Sequence, residues 1–371
     1  MQNVLFKNAY NGKKVIVTGN TGFKGSWLSI WLSLLGAKVY GLSNDIPSKP
    51  SHFETASLDE HIIHNEIDIR CLYDVRELIN EIEPDFVFHL AAQPIVRASY
   101  NDPVETIETN VIGTMNILEA LRLSNHPCIA IMITSDKCYD NVEWVWGYRE
   151  TDPLGGEDPY SASKGAAELI IKTYARSFFD KPNSNVKIAS VRAGNVIGGG
   201  DWAKDRIVPD CIRAWGVKEK VQIRSPNATR PWQHVLEPLS GYLYLGQKLN
   251  EDKSLNGEPF NFGPATNQNY TVAELISKMQ EYWEDAEIQI DTGNASKQKE
   301  ANLLKLCCDK ALHVLGWQAT LDFEKTVKFT VDWYRSYYTT DTDIFELSCQ
   351  QISDYVNFAM EQGQSWVKHN D

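Results

Sequence analysis

The stretch "KKVIVTGNTGFKGSWLSIWL" (residues 13–32) decides the fold. An apolar, β-rich run from Val15 to Thr18 meets glycines at 19, 22 and 25, and a helical pattern follows at once. Strand, glycine turn and helix together form a cradle for a pyrophosphate. The glycines let the backbone come close, and the helix N-terminus offers unpaired N–H donors and a partial positive charge. "AKVYGLS" (37–43) supplies the next strand and completes a βαβ unit.

The same alternation continues outward. "DFVFHLAA" (85–92), "CIAIMITS" (128–135) and "VKIASVRAG" (186–194) are continuous apolar runs separated by helical patterns such as "NVIGTMNILEALRL" (110–123). Such runs predict an α/β fold with a doubly wound parallel sheet covered on both faces, a Rossmann domain over residues 1–194. Beyond 195 the regularity loosens into Trp- and Pro-containing loops ("GGGDWAKDRIVPD", "SPNATRPWQHVLEP", "FNFGPATNQNYT") with short helices between them. Residues 195–371 read as a smaller, irregular α/β substrate lobe over the carboxyl edge of the sheet, with some elements returning to it.

The bulk numbers narrow the partners. With 36 Lys plus Arg against 49 Asp plus Glu, the net charge of −13 argues against nucleic acid or an anionic membrane. No segment approaches 18 uninterrupted apolar residues and the N-terminus lacks a signal-peptide pattern, so a cytoplasmic protein is expected. Seven cysteines without a CxxC pair read as reduced thiols, and eight histidines without ligand spacing predict no metal site.

"IMITSDKCYDN" (131–141) turns from an apolar strand directly to Ser135, Asp136 and Lys137. Downstream, "YSASK" sets Tyr160 and Lys164 one helical turn apart, after a "DP" that suits a helix entry. A phenol with a pKa of about 10 is a poor base at neutral pH. A neighbouring ammonium and a cationic nicotinamide would lower it, so that Tyr160 takes a hydroxyl proton while hydride leaves the same carbon. Ser135 would hydrogen-bond that oxygen.

The G-x-x-G-x-x-G spacing resembles the extended branch of the short-chain dehydrogenase/reductase superfamily. That resemblance implies NAD contacts at Gly19, Gly22, Phe23, Lys24 and Gly25, at Asp68 and Ile69, along Leu90, Ala91 and Ala92, and at Tyr160 and Lys164. Ser43 stands where the second strand usually ends in an acidic residue. With no arginine there to receive a 2′-phosphate, NAD is favoured over NADP.

"TSDKCYDNVEWVWGYRETDPLGGEDPYSASK", "AGNVIGGGDWAKDRIVPD" and "RPWQHVLEPLSGYLYL" are similar to the CDP-glucose 4,6-dehydratases over nearly the whole chain. The resemblance implies an internal redox cycle on CDP-glucose. Tyr160 deprotonates the 4-hydroxyl, Asp136 donates to the departing 6-hydroxyl, and a 4-keto-6-deoxy sugar results. Where the dTDP-glucose enzymes carry a glutamate as C5 base, this chain has Lys137. It acts either as that base, if neutral, or as a charged stabiliser of the enolate. The resemblance also implies substrate contacts at Gln93, Asn195, Trp202, Arg206, Ile207 and Arg230. It places subunit pairing in a homodimer on residues 101–123 and 163–179. A nucleotide-sugar 4-epimerase would keep the glycines, Ser135, Tyr160 and Lys164, but would have no use for Asp136 and Lys137.

Overall fold

The computed structural model describes residues 4–223, 225–265, 268–290 and 303–368. Its centre is a seven-stranded parallel sheet. The strands are β1 (Lys14–Thr18), β2 (Lys38–Ser43), β3 (Ile63–Glu66), β4 (Phe86–His89), β5 (Cys128–Ile133), β6 (Val186–Arg192) and β7 (Pro259–Asn261). They lie side by side in the order β7-β6-β5-β4-β1-β2-β3. The order reverses at β1, which is where open α/β sheets leave a crevice for a ligand at the strands' carboxyl ends.

Alternation along the strands builds two cores. Val15, Val17, Ile129 and Ile131 face one cluster, while Ile16, Ala130 and Met132 face the other. The first cluster receives Trp27 and Trp31 of α1 (Phe23–Leu34), and the second receives Val75 and Leu78 of α2 (Leu72–Ile82) and Ile117 and Leu121 of α3 (Thr114–Leu123). Helix α4 (Pro159–Tyr174) adds Ile171 to the second face. Asp158 caps α4 by accepting from Ser161 N–H, and Pro159 sits at its first position, so Tyr160 begins a well-defined turn.

The C-terminal half is woven into the sheet. β7 pairs in parallel with β6, and α6 (Leu236–Glu251) packs on the same face as α1; α5 (Ile207–Gly216) precedes it in the chain. Helix α7 (Val272–Tyr282) opens with a capping box between Thr271 and Glu274. Two long helices follow, α8 (Phe323–Thr339) and α9 (Ile344–Glu361), whose aromatic residues join the first core. No helix among the described residues is long and apolar enough to cross a membrane.

Candidate active site

The cradle depends on bare glycine backbone. Gly19 has φ +72, and a Cβ on it would press against the backbone of Ala91; one on Gly25 would overlap the Gly19 carbonyl. Helix α1 starts from Gly22 with no side-chain cap, so its first N–H groups stay available to an anion. Beside it, Ser43 Oγ donates to Asn20 Oδ1 at 3.1 Å, while Asn20 packs where any Cβ on Gly41 would stand. Ser43 therefore helps fix the glycine turn. Asp68, just past β3, forms a paired contact with Arg70 at 2.6–3.0 Å, and Ile69 is buried beside Gly113.

The 90–92 loop is pinned from below. Leu90 and Ala91 N–H both donate to Thr18 Oγ1. The Thr18 hydroxyl in turn meets His89 Nδ1 at 2.8 Å, and His89 Nε2 meets Thr114 Oγ1 at 3.0 Å. Burial pushes His89 down to about 3, so this ring is a neutral spacer.

Beyond β5 the chain enters a short 3-10 turn, Asp136–Cys138, whose N-cap is Ser135. Ser135 Oγ accepts from Lys137 N–H at 3.3 Å and donates to Asp136 Oδ1 at 2.9 Å. Tyr160 and Lys164 come to the same edge from α4, and all four of Ser135, Asp136, Tyr160 and Lys164 are buried. Lys137 is half-buried beside them. Lys164 Nζ lies 6.0 Å from the centre of the Tyr160 ring.

Burial dominates the electrostatics of the protein groups at this edge. Burial carries Tyr160 up to about 12, against the lowering influence of Ser135 and Arg206. Burial also takes Lys164 down to about 8, with Cys138 and Glu168 partly offsetting it. Desolvation disfavours the charged form of each group, the phenolate and the ammonium alike. Lys24 reaches this group as well. Burial and the charges of Arg206 and Lys164 bring it to about 8, while Asp136 and Asp201 act the other way.

On the lobe side, Asn195 (φ +53) and Gly194 line a narrow cleft with Asp136, Gln233, Gln268 and Lys305. Arg206 is held at 2.9 Å by Asp201 and stands close enough to Tyr160 to influence it. Ile207 opens helix α5, and Arg230 donates to the Thr229 carbonyl at 2.8 Å. Two further residues expected at the substrate make contacts within the chain. Trp202 is buried among Trp333, Tyr334 and Tyr337, at 5.0–5.8 Å between ring centres, because an aromatic cluster offers that ring more than a wet cleft does. Gln93 spends its amide locally, donating to Thr106 and accepting from Ile95 N–H, and so shapes its own loop.

A buried network beneath the edge was not read from the sequence. Glu168 accepts from Thr134 Oγ1 (2.5 Å), Ser190 Oγ (3.0 Å) and Arg192 Nη2 (2.7 Å). Arg192 also donates to Tyr139 OH at 2.7 Å. One carboxylate thus ties the end of β5, helix α4 and strand β6 together. The available signal was spacing: Glu168 follows Lys164 by one helical turn, as Lys164 follows Tyr160.

Sheet order, glycine cradle and the Ser/Tyr/Lys group at the carboxyl edge define the short-chain dehydrogenase/reductase class. Within it, the model of the GDP-mannose 4,6 dehydratase family matches residues 16–330, and the chain belongs to that family. The CDP-glucose 4,6-dehydratase of Salmonella typhimurium is 47% identical over 355 residues, which cover 95% of this chain and 98% of that protein. The crystal structure of Thermus thermophilus UDP-glucose 4-epimerase in complex with NAD superposes with a TM-score of 0.72 at 25% identity, covering 87% of this chain and 99% of that one. An epimerase from Methanothermobacter thermautotrophicus gives a TM-score of 0.77 at 23% identity, over 93% of this chain and 96% of that one.

Proposed function

We propose that this chain is a lyase that converts CDP-glucose to CDP-4-keto-6-deoxyglucose and water, with NAD bound throughout the cycle. The observation that carries this reading is the gathering of Ser135, Asp136, Lys137, Tyr160 and Lys164 at one sheet edge, in a chain 47% identical to a CDP-glucose 4,6-dehydratase.

The uncapped start of α1 and the bare glycines fit a pyrophosphate. NAD would be held there by Gly19, Gly22, Phe23, Lys24 and Gly25, along Leu90, Ala91 and Ala92, and at Asp68 and Ile69. When bound, NAD supplies a reversible hydride acceptor. The chain's own groups do the proton work: Tyr160 serves the 4-hydroxyl with Ser135 beside it, Asp136 the 6-hydroxyl, and Lys137 the hydrogen on C5. Asn195, Arg206, Ile207 and Arg230 surround the nucleotide diphosphate in this reading.

Exposed Val104, Ile107, Ile112, Leu169 and Phe178 lie on the adjoining helical segments 103–123 and 159–179, which supports a homodimer built on that face. The reading places the enzyme in the cytoplasm, where seven unpaired cysteines stay reduced. Incubation with CDP-, dTDP-, UDP- and GDP-glucose separately, followed by mass spectrometry, tests the assignment. The expected result is loss of one water from the CDP sugar. An isobaric product would instead mark an epimerase.

A further inference from the structure

The narrow cleft beside Asp136 holds a buried acceptor that the chemistry above leaves unused. Gln233 is 2% exposed and lines the cleft with Asp136, Asn195 and Gln268. Parallel pairing of Gln233–His234 with Val196–Ile197 sets its backbone, and its N–H donates to the Asn195 carbonyl at 3.2 Å. The side chain is held as firmly. Gln233 Nε2 donates to the Gly194 carbonyl at 2.9 Å and to the Phe262 carbonyl at 3.2 Å, just past the ends of β6 and β7. Reversing the amide would set Oε1 against two carbonyl oxygens, so these two bonds fix which way the group faces.

Gln233 Oε1 is left with no hydrogen-bond partner among the described residues. A buried acceptor without a donor is unfavourable, and a ligand's hydroxyl would complete it. Among the buried polar atoms without a partner there, Gln233 Oε1 and Gln268 Oε1 are the two on residues that line this cleft. Two acceptors on one cleft suit a ligand rich in donors, as a hexose is. Gly194 narrows the choice of hydroxyl. Its carbonyl accepts from the Gln233 amide, and Asp136 fills the space where its Cβ would stand, so amide and carboxylate flank the same glycine.

We propose that Gln233 Oε1 accepts a hydrogen bond from the 6-hydroxyl of the hexose and so turns O6 toward Asp136. The proposal rests on the dehydratase reading above, in which Asp136 serves that hydroxyl. A hydroxyl whose hydrogen is committed to Gln233 has its lone pairs free for the acid beside it. As the C6–O6 bond breaks, its electron pair leaves with the oxygen. The departing water keeps the hydrogen that points at Gln233 and takes its second from Asp136, which is left as a carboxylate. The C5 proton goes to the base that serves that carbon, and the C5–H electron pair becomes the bond between C5 and C6. Gln233 itself gains and loses no proton. It holds the leaving group in place and makes the cleft selective for a sugar with a hydroxyl at C6.

Titration calorimetry on the NAD-loaded protein tests this with CDP-4-deoxyglucose and CDP-4,6-dideoxyglucose. Neither ligand can be oxidised at C4, and the two differ only in the 6-hydroxyl. Wild type should bind the first more tightly by about tenfold or more. Gln233→Met removes the acceptor and Gln233→Asn draws it back by one carbon, and each should bring that ratio close to one. If Q233M fails to fold, as read by circular dichroism, Q233N carries the comparison. Variants that weaken both ligands alike and keep the wild-type ratio would show that Gln233 only supports the backbone at Gly194 and Phe262, and they overturn the proposal. Failure of the underlying reading shows separately, since wild type would then release no water from CDP-glucose. Water release by wild type, together with equal binding of the two ligands, overturns the role of Gln233 alone.

Discussion

Glu168 under the sheet's carboxyl edge and Glu237 under the lobe are both buried carboxylates, yet they are held in opposite ways. Burial alone would raise Glu168, but Arg192 at 2.7 Å and the Thr134 and Ser190 hydroxyls outweigh it, so the group sits below its usual range. Glu237 accepts from the backbone N–H groups of Thr320 and Leu321 and from the Tyr355 hydroxyl, and burial pushes it up to about 7. The contrast shows what a formal cation contributes that neutral donors do not. Beneath the carboxyl edge the fold keeps a permanent charge pair. Where α6 meets the start of α8 and the side of α9, it tolerates a carboxyl that gains and loses a proton near neutrality.

The largest expected effect comes from breaking the charge pair. Arg192→Leu leaves the Glu168 carboxylate buried without its cation and should cost about 3–5 kcal/mol in denaturant unfolding. Replacing Glu168 by Leu in the same chain should recover part of that loss, short of the whole because Thr134 and Ser190 lose their acceptor. An Arg192→Leu chain as stable as wild type would remove the distinction between the two sites.

The pH dependence of stability sharpens the same contrast, since the two carboxylates act with opposite sign. Glu237 has a folded pKa above its unfolded value, so its contribution is fully present below about pH 4.5 and is lost as pH rises through about 7. That loss amounts to about 3 kcal/mol at 1.36 kcal/mol per pKa unit. Glu168 contributes above its unfolded pKa and loses that contribution only as pH falls through its depressed folded value. Unfolding free energies at pH 5 and pH 8 should therefore fall further apart in wild type than in Glu237→Gln. Equal differences in the two proteins would show that Glu237 does not titrate in this window.

The smallest effect is expected in the lobe's aromatic cluster. Trp202→Phe keeps an aromatic ring among Trp333, Tyr334 and Tyr337 and loses no hydrogen bond found among the described residues, where the indole nitrogen makes none. It should cost about 1 kcal/mol of stability and leave KM for the sugar nucleotide unchanged. A KM raised tenfold at unchanged stability would place Trp202 at the substrate.

Much of the sheet's carboxyl edge was legible in the chain itself. The glycine triplet, the strand ending at Ser135 and the Tyr160/Lys164 turn are local patterns, and each lies within one element or at its end. The contacts that Trp202 and Gln93 make within the chain were not legible, for a shared reason: a side chain next to a motif points wherever its best contacts lie, and residues outside the motif decide that. Trp202 found its partners about 130 residues away on α8, and Gln93 found Thr106 on the segment Pro103–Ile107.

By itself, the sequence determined the order of strands and helices, the cradle, and which residue types stand at the edge. Those follow from periodicity, glycine backbone freedom and capping, all of which act over a few residues. Tertiary structure alone decided the protonation landscape. Tyr160 near 12, Lys164 and Lys24 near 8, and the opposite settings of Glu168 and Glu237 arise from burial and from charges brought together across strands. Desolvation is a property of the assembled interior, and no short stretch of the chain contains it.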